Sequence, residues 1–331
     1  MVSIVNRKGG VGKTTLTLGL ADTLVGAIEE PYDPARRVVA VVDLDPQASL
    51  TRALLYERNK PEPNGKLRST LDSGHTLAGA LEDRLNRKKR PIDAYLTHGI
   101  GPAGFAYTLL ANEAQAWDVE RKGLRRPGEA KLKAALVELI SELAGNYQYV
   151  LIDAPPGQTV MAEAAIQRSD LLLCPITPDR LSYWGLESFD EYLRELFEAS
   201  EVRPPARFIF TRFKSRVPQY HPQNEIFALV SSFSLLDKYV TLLREAGEAS
   251  VIGGHPIALP DDPRLASRLE GPPRPGKIWA LDRIYTKSTR AELKRLALAV
   301  KEELYSGRSS VYDQSAGTSH QTDRNSGSVH P

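Results

Sequence analysis

The chain has 331 residues, of which 41% are hydrophobic and 25% charged, with a net charge of +2. This is the balance of an ordinary globular protein, long enough for one large α/β domain or two small ones. Its single cysteine, Cys174, excludes an internal disulfide framework and an iron–sulfur cluster held by several cysteines of one chain. No run approaches the roughly 20 apolar residues of a membrane span, and a glycine loop follows directly on the first short strand, unlike a signal peptide. A cytoplasmic location is the expectation.

Val2–Asn6 reads as a short apolar strand. Behind the loop, a helical pattern runs from Lys13 to about Ile28, with Leu16, Leu20, Leu24 and Ile28 on one face, until Pro31 and Pro34 break it. Val38–Val42 is a continuous apolar run, the mark of a buried parallel strand, and it ends at Asp43-Leu44-Asp45-Pro46-Gln47. From about 56 to 102 the pattern weakens, as in an insertion, and Arg84, Arg87, Lys88, Lys89 and Arg90 cluster there. Phe105–Leu110 reads as a strand and Lys131–Leu143 as an amphipathic helix. Tyr149–Ile152 is a further strand, ending at Asp153-Ala154-Pro155-Pro156-Gly157. Leu171–Ile176 follows, with Cys174 as a buried strand residue, then a helix over Leu186–Phe197 and a strand at Phe208–Phe210. Thr289–Leu304 is a last amphipathic helix. Ser306–Pro331 has no Leu, Ile or Phe and seven Ser, a composition too poor in apolar groups to offset the entropy of folding, so a disordered tail is expected. Strands alternating with helices predict an α/β fold with a mostly parallel, twisted sheet covered by helices on both faces. The expected organisation is one domain over residues 1–305.

The segment Lys8-Gly9-Gly10-Val11-Gly12-Lys13-Thr14-Thr15 lies between strand and helix. Glycines let a backbone approach phosphate, and successive N–H groups then face the anion. In such a loop the lysine reaches the β- and γ-phosphates and the hydroxyl beside it binds Mg²⁺. Gly9, Gly10, Val11 and Gly12 supply the backbone, Lys13 the phosphate lysine, Thr14 the Mg²⁺ ligand and Thr15 a contact to the α-phosphate. The helix beginning at Lys13 adds its positive end. ATP and Mg²⁺ are the cofactors this reading requires.

Three aspartates follow strands. Phosphoryl transfer needs Mg²⁺ holders and a group that orients water. Carboxylates at the ends of neighbouring parallel strands converge on one rim, and residues i and i+2 of a strand share a face, so Asp43 and Asp45 are both expected to face the phosphates, with Asp153 nearby.

Arg7 stands where the ordinary loop has its first glycine, and Lys8 adds a second lysine. This arrangement resembles the deviant Walker A family that includes ParA, MinD, the nitrogenase iron protein and the arsenite-pump ATPase. The resemblance implies that Lys8 reaches across a dimer to the partner's nucleotide, so that two chains sandwich two ATP molecules. Asp43-Leu44-Asp45-Pro46-Gln47 is similar to the second signature of the ParA branch, which implies that Asp45 positions the hydrolytic water and Asp43 lies near the Mg²⁺ shell. Ile152-Asp153-Ala154-Pro155-Pro156 resembles the Walker B strand, with Asp153 holding Mg²⁺ through water. Leu109-Leu110-Ala111-Asn112, Pro175-Ile176-Thr177-Pro178 and Trp184-Gly185-Leu186 also look like the ParA pattern. Thr211-Arg212 and the Pro260-Asp261 segment occupy the places where the family holds adenine. The resemblance spans Met1 to Tyr305. It is to the short ParA form, without an N-terminal helix-turn-helix segment.

ParA-like proteins move plasmids, chromosomes or large protein cargo. The resemblance implies an ATP-bound homodimer that binds DNA without sequence preference, released when a ParB-like adaptor stimulates hydrolysis, and hence a nucleoid-associated protein. Residues 201–331 are mildly basic, and Arg212, Lys214, Arg216, Lys238 and Arg244 are candidate phosphate contacts or a solvated charged face. The Arg84–Arg90 cluster is another candidate, or simply basic insertion sequence. A MinD-like membrane-surface ATPase is the alternative. It needs a terminal basic amphipathic helix, which Ser306–Pro331 lacks; Leu293, Leu296, Val300 and Leu304 share a face just before it.

Overall fold

The computed structural model describes residues 1–26, 37–55, 64–100, 106–113, 128–198, 203–213, 258–260 and 287–317. Among these, eight strands build one sheet: β1 (Val2–Ile4), β2 (Arg37–Asp43), β3 (Leu96–Ile100), β4 (Ala106–Leu110), β5 (Tyr147–Asp153), β6 (Leu171–Ile176), β7 (Ala206–Phe213) and β8 (Ala258–Pro260). Their spatial order is β3-β4-β2-β5-β1-β6-β7-β8. Every neighbouring pair is parallel except β3 with β4, which closes one edge antiparallel.

The helices are α1 (Lys13–Gly26), α2 (Ser49–Leu55), α3 (Gly65–Asp72), α4 (Leu77–Leu85), α5 (Gly128–Asn146), α6 (Val160–Arg168), α7 (Arg180–Leu196) and α8 (Lys287–Gly317). Parallel strands buried on both faces need apolar residues in both phases of the alternation. In β2, Val39 and Val41 join a core with Leu16, Leu20 and Leu24 of α1 and Leu293 and Leu296 of α8. Ala40 and Val42 face the other way, onto Leu77 and Leu81 of α4 and Leu136, Leu139 and Ile140 of α5. In β6, Leu172, Cys174 and Ile176 meet Leu186, Phe189 and Leu193 of α7. Helices therefore cover both faces, as the alternating pattern predicts.

Two segments differ from the sequence reading. Residues 64–100, read as part of an insertion, form α3, α4, a 3-10 turn (Ile92–Tyr95) and β3, and Leu77, Leu81, Ile92, Tyr95 and Leu96 are buried in the main core. Such short elements carry too few residues for a period to stand out. The last helix continues to Gly317, past the expected boundary at Ser306; no proline interrupts its hydrogen-bond ladder before that point.

The chain passes from β1 to β2 on one side of the sheet, whereas β6 lies on the other side of β1. Ligands in such sheets bind beyond the carboxyl ends of the strands, where the order reverses. The ends of β1, β5 and β2 lie side by side there, with Ile4 opposite Asp153 and Asp153 opposite Asp43.

Candidate functional site

The loop after β1 holds two glycines at positive φ, Gly10 (72°) and Gly12 (92°). A side chain at either position would be strained. A Cβ at Gly10 would meet no atom within 4 Å, so the positive φ rather than crowding is what calls for glycine there. Buried groups brace it from below. Asn6 Nδ2 donates to the Pro175 carbonyl at 2.7 Å, and Asn6 Oδ1 accepts from the Lys8 amide at 2.8 Å. The Thr211 hydroxyl donates to the Val11 carbonyl at 2.7 Å.

Lys13 is the first residue of α1 and is nearly buried. Its Nζ donates to the carbonyls of Asn6 and Lys8, 3.3 Å from each. Burial pushes this ammonium below its ordinary value, against the opposing pull of Asp153 and Asp45. The Thr14 hydroxyl donates to Asp153 Oδ2 at 2.7 Å. Asp153 is 1% exposed, and its Oδ1 has no hydrogen-bond partner. Burial pushes its carboxyl well above the carboxylate range, and the neighbouring Asp43 adds to that; Thr14 and Lys13 oppose.

Asp43 is fully buried with both oxygens engaged. Oδ2 accepts from the amide and hydroxyl of Thr51, 2.8 Å each, and Oδ1 accepts from the Asp45 amide at 3.1 Å. Burial raises its carboxyl to about 7. The expectation that Asp43 and Asp45 share an orientation meets a physical limit here: β2 ends at Asp43, and the alternation ends with it. Asp43 thus ties the start of α2 to the strand end, beneath the loop that carries Asp45. That loop is held again by Asn112 Nδ2, which donates to the Asp45 carbonyl at 2.9 Å, and by the Ala48 amide on the same carbonyl at 2.8 Å. Ala48 sits at φ 52°, a left-handed conformation that costs about 1–2 kcal/mol. Asp45 itself is half-buried, its Oδ1 accepting from the Gln47 amide at 2.9 Å.

Lys8 lies apart from Lys13. Its Nζ is bound on α7, 3.0 and 3.3 Å from the Asp179 oxygens and 2.9 Å from Ser182 Oγ. The side chain keeps 35% of its exposure. Next to it on α7, Leu181 and Trp184 are 66% and 55% exposed.

Of the residues expected around the base, Thr211 lies buried beneath the loop, where its hydroxyl serves the backbone. Arg212 has a positive φ of 54°, lies between the irregularly paired Phe210 and Phe213, and is exposed. Pro260 ends β8; Asp261, Lys214, Arg216, Lys238 and Arg244 lie outside the described residues. Three of the five residues of the basic cluster pair within the chain: Arg84 with Glu142 at 2.5 Å, Lys88 with Asp83 at 3.2 Å and Arg90 with Asp83 at 3.8 Å. Sequence reasoning did not single out Asn6, Asp179 or Ser182, and it named Asn112 only as the end of a ParA-like segment. The available signal was a polar residue at a strand end or a helix N-cap, beside a motif already recognised.

The residues present fit Mg²⁺ and a nucleotide phosphate. Asp153 and Asp45 act on the buried Lys13 ammonium, Asp43 crowds Asp153, and the raised Asp153 carboxyl is one that a divalent cation would hold ionised; its Oδ1 is a buried acceptor without a donor. The glycine loop, its lysine and hydroxyl, and an aspartate at the end of the adjacent strand define a P-loop nucleotide-hydrolase architecture.

Comparison with known proteins narrows this. The sequence profile of a family described as an AAA domain matches residues 1–203. A ParA family protein of Mycoplasma genitalium is 30% identical over 228 residues, covering 66% of this chain and 75% of that protein. The chain belongs to the ParA family of P-loop ATPases. In fold it is similar to apo McdA of Cyanothece, with a TM-score of 0.62 at 18% identity over 92% of this chain and 98% of that one. It is also similar to a candidate plasmid partition protein of Borrelia burgdorferi solved with AMPPNP, with a TM-score of 0.61 at 17% identity over 91% and 98% of the two chains.

Proposed function

We infer that this chain is a ParA-like positioning ATPase in which ATP acts as a clamp between two copies of the chain. The observation that carries the reading is the separation of the two loop lysines. Lys13 is buried inside the loop, whereas the Lys8 side chain is 35% exposed and its Nζ is bound to Asp179 and Ser182 at the start of α7. Lys13 serves the chain's own ATP, with the amides of Gly9, Gly10, Val11 and Gly12 around the phosphates and Thr15 at the α-phosphate. Lys8 serves the partner's ATP. The exposed Leu181 and Trp184 beside Lys8 are apolar surface that a second copy covers.

Thr14 and Asp153 hold Mg²⁺, which when bound neutralises charge on the β- and γ-phosphates. Asp43 carries the Asp45 loop, and Asp45 orients the attacking water. Asn112 fixes that loop from behind. The resulting homodimer binds DNA without sequence preference, through Arg212 and basic residues of the 214–244 segment, and associates with the nucleoid. A ParB-like adaptor on plasmid, chromosome or protein cargo triggers hydrolysis and release.

DNA binding over a salt series, with and without ATP, tests the reading. Binding should require ATP and fall steeply with salt. Lys8→Ala should lose nucleotide-dependent dimerisation, and Asp45→Ala should hold the ATP-bound, DNA-bound dimer. Nucleotide-independent DNA binding in all three proteins counts against it.

The packing of α8 gives the MinD-like alternative little support. Leu293, Leu296, Val300 and Leu304, the apolar face available for a membrane surface, are buried against α1 and the sheet. Among the described residues no helix is long and apolar enough to cross a membrane. Liposome sedimentation with ATP separates the readings: pelleting without DNA binding favours the membrane surface.

A further inference from the structure

The contact that holds Lys8 goes beyond what a helix cap requires. Asp179 is the N-cap of α7, with extended backbone (φ −135°, ψ 156°) and Oδ1 accepting from the Ser182 amide at 2.9 Å. Capping needs one acceptor oxygen, which Asn or Ser supplies as well as Asp. Here the carboxylate collects more. It accepts from the Thr177 hydroxyl, from Ser182 Oγ at 3.0 Å, and from Lys8 Nζ, which comes from 171 residues away. Ser182 Oγ accepts from Lys8 Nζ at 2.9 Å and lies 2.7 Å from Thr177 Oγ1. Two hydroxyls and a carboxylate thus form a small polar seat, and the loop's second lysine sits in it.

The geometry points to Asp179 as a positioning residue that stores Lys8 on its own chain and competes with the partner's nucleotide for it. This rests on the reading that Lys8 serves the partner's ATP. The pair keeps 35% and 44% of its side-chain exposure, so it is reachable from outside. An exposed pair of this kind is weak, weak enough to exchange a carboxylate for a phosphate. While it holds, only the fraction of chains with Lys8 released is competent to bridge, and apparent affinity falls by that fraction. Each copy contributes one Lys8, so the effect enters the dimer twice. The seat therefore sets the ATP level at which the clamp closes.

The test is a titration of dimerisation, by light scattering, with a non-hydrolysable ATP analogue on the full chain. Asp179→Asn keeps the cap acceptor and removes the charge. Its midpoint should fall about two- to fivefold below that of the parent chain, while the thermal unfolding midpoint drops only slightly. Ser182→Ala removes one Lys8 acceptor and keeps the amide that Asp179 caps; it should shift the midpoint the same way, by less. A midpoint that rises or stays fixed in both variants overturns the proposal and leaves Asp179 as a cap. Lys8→Ala, run in parallel, separates the two levels. Unchanged dimerisation there sinks the role of Lys8 itself. Lost dimerisation there, with an unmoved Asp179→Asn midpoint, sinks only the seat.

Discussion

Two of the regions where charged side chains cluster in this fold handle them differently. At the outer edge, around α4 and the turn before β3, the charges answer one another. Arg84 donates to the Arg90 carbonyl at 2.7 Å and pairs with Glu142; Asp83 takes Lys88, Arg90 and the Tyr95 hydroxyl. At the carboxyl rim, Lys13 rests on two carbonyls, Asp153 leaves one oxygen unpartnered and Asp43 lies beside it in register. At the edge the acids are met within the chain, as in a scaffold, although Arg84 Nε, 3.3 Å from Glu138 Oε1, makes no hydrogen bond of its own. The rim is open to a ligand that brings positive charge and acceptors for Lys13. Composition sees lysines, arginines and acids in both places; only the partners tell them apart.

The comparison breaks first at the rim. Lys13→Ala should reduce ATP turnover by about 10²- to 10³-fold, the cost of removing a donor aimed at developing charge. Asp153→Asn should lose Mg²⁺-dependent turnover on a similar scale. The amide keeps an acceptor for Thr14 and removes a carboxyl whose ionisation burial and Asp43 oppose, so the nucleotide-free protein should melt at the same temperature or higher. Calorimetry beside an ATPase assay checks both halves. A melting point several degrees lower would place Asp153 among the scaffold residues.

Arg84→Ala should give the reverse pattern. The Arg84 side chain is 7% exposed, and its loss leaves Glu142 without its strongest partner. Denaturant unfolding should show about 2–4 kcal/mol lost, with turnover per folded molecule unchanged. A fall in DNA binding at unchanged stability would instead assign the Arg84–Arg90 cluster to the nucleic-acid surface.

The division also explains what was legible in the sequence. The loop, its lysine and hydroxyl, and the strand-end aspartates are local patterns, and the fold brings Thr14 to Asp153 across 139 residues. The apolar runs at Val38–Val42 and Leu171–Ile176 mark buried parallel strands because both faces must be apolar. β3 was missed because an edge strand with one neighbour, containing Thr97, His98 and Gly99, has no such run. The inward role of Asp43 was missed because it depends on where the strand stops, which periodicity does not mark. Thr211 was placed at the base by its position in a motif, whereas its hydroxyl braces Val11, a contact between residues 200 apart. Partners that distant in sequence leave no local trace.

The smallest effect concerns Asp179, which stands between the two regions: placed at the rim, yet paired like the edge. Burial pushes its carboxyl up, but hydrogen bonds from Thr177, the Ser182 amide, Lys8 and Ser182 Oγ outweigh that and hold it at about 2. The folded value lies below that of an unfolded aspartate, about 3.9. Its contribution to stability is therefore fully present above about pH 4 and is lost as pH falls through about 2. With 44% of the side chain exposed, solvent screening keeps that contribution below about 1 kcal/mol. The stability difference between the parent chain and Asp179→Asn should stay flat from about pH 5 to pH 8 and shrink only in stronger acid. A difference that changes within the neutral range would mean that another titrating group controls the seat of Lys8, and that the seat belongs with the charge-strained rim rather than with the paired edge.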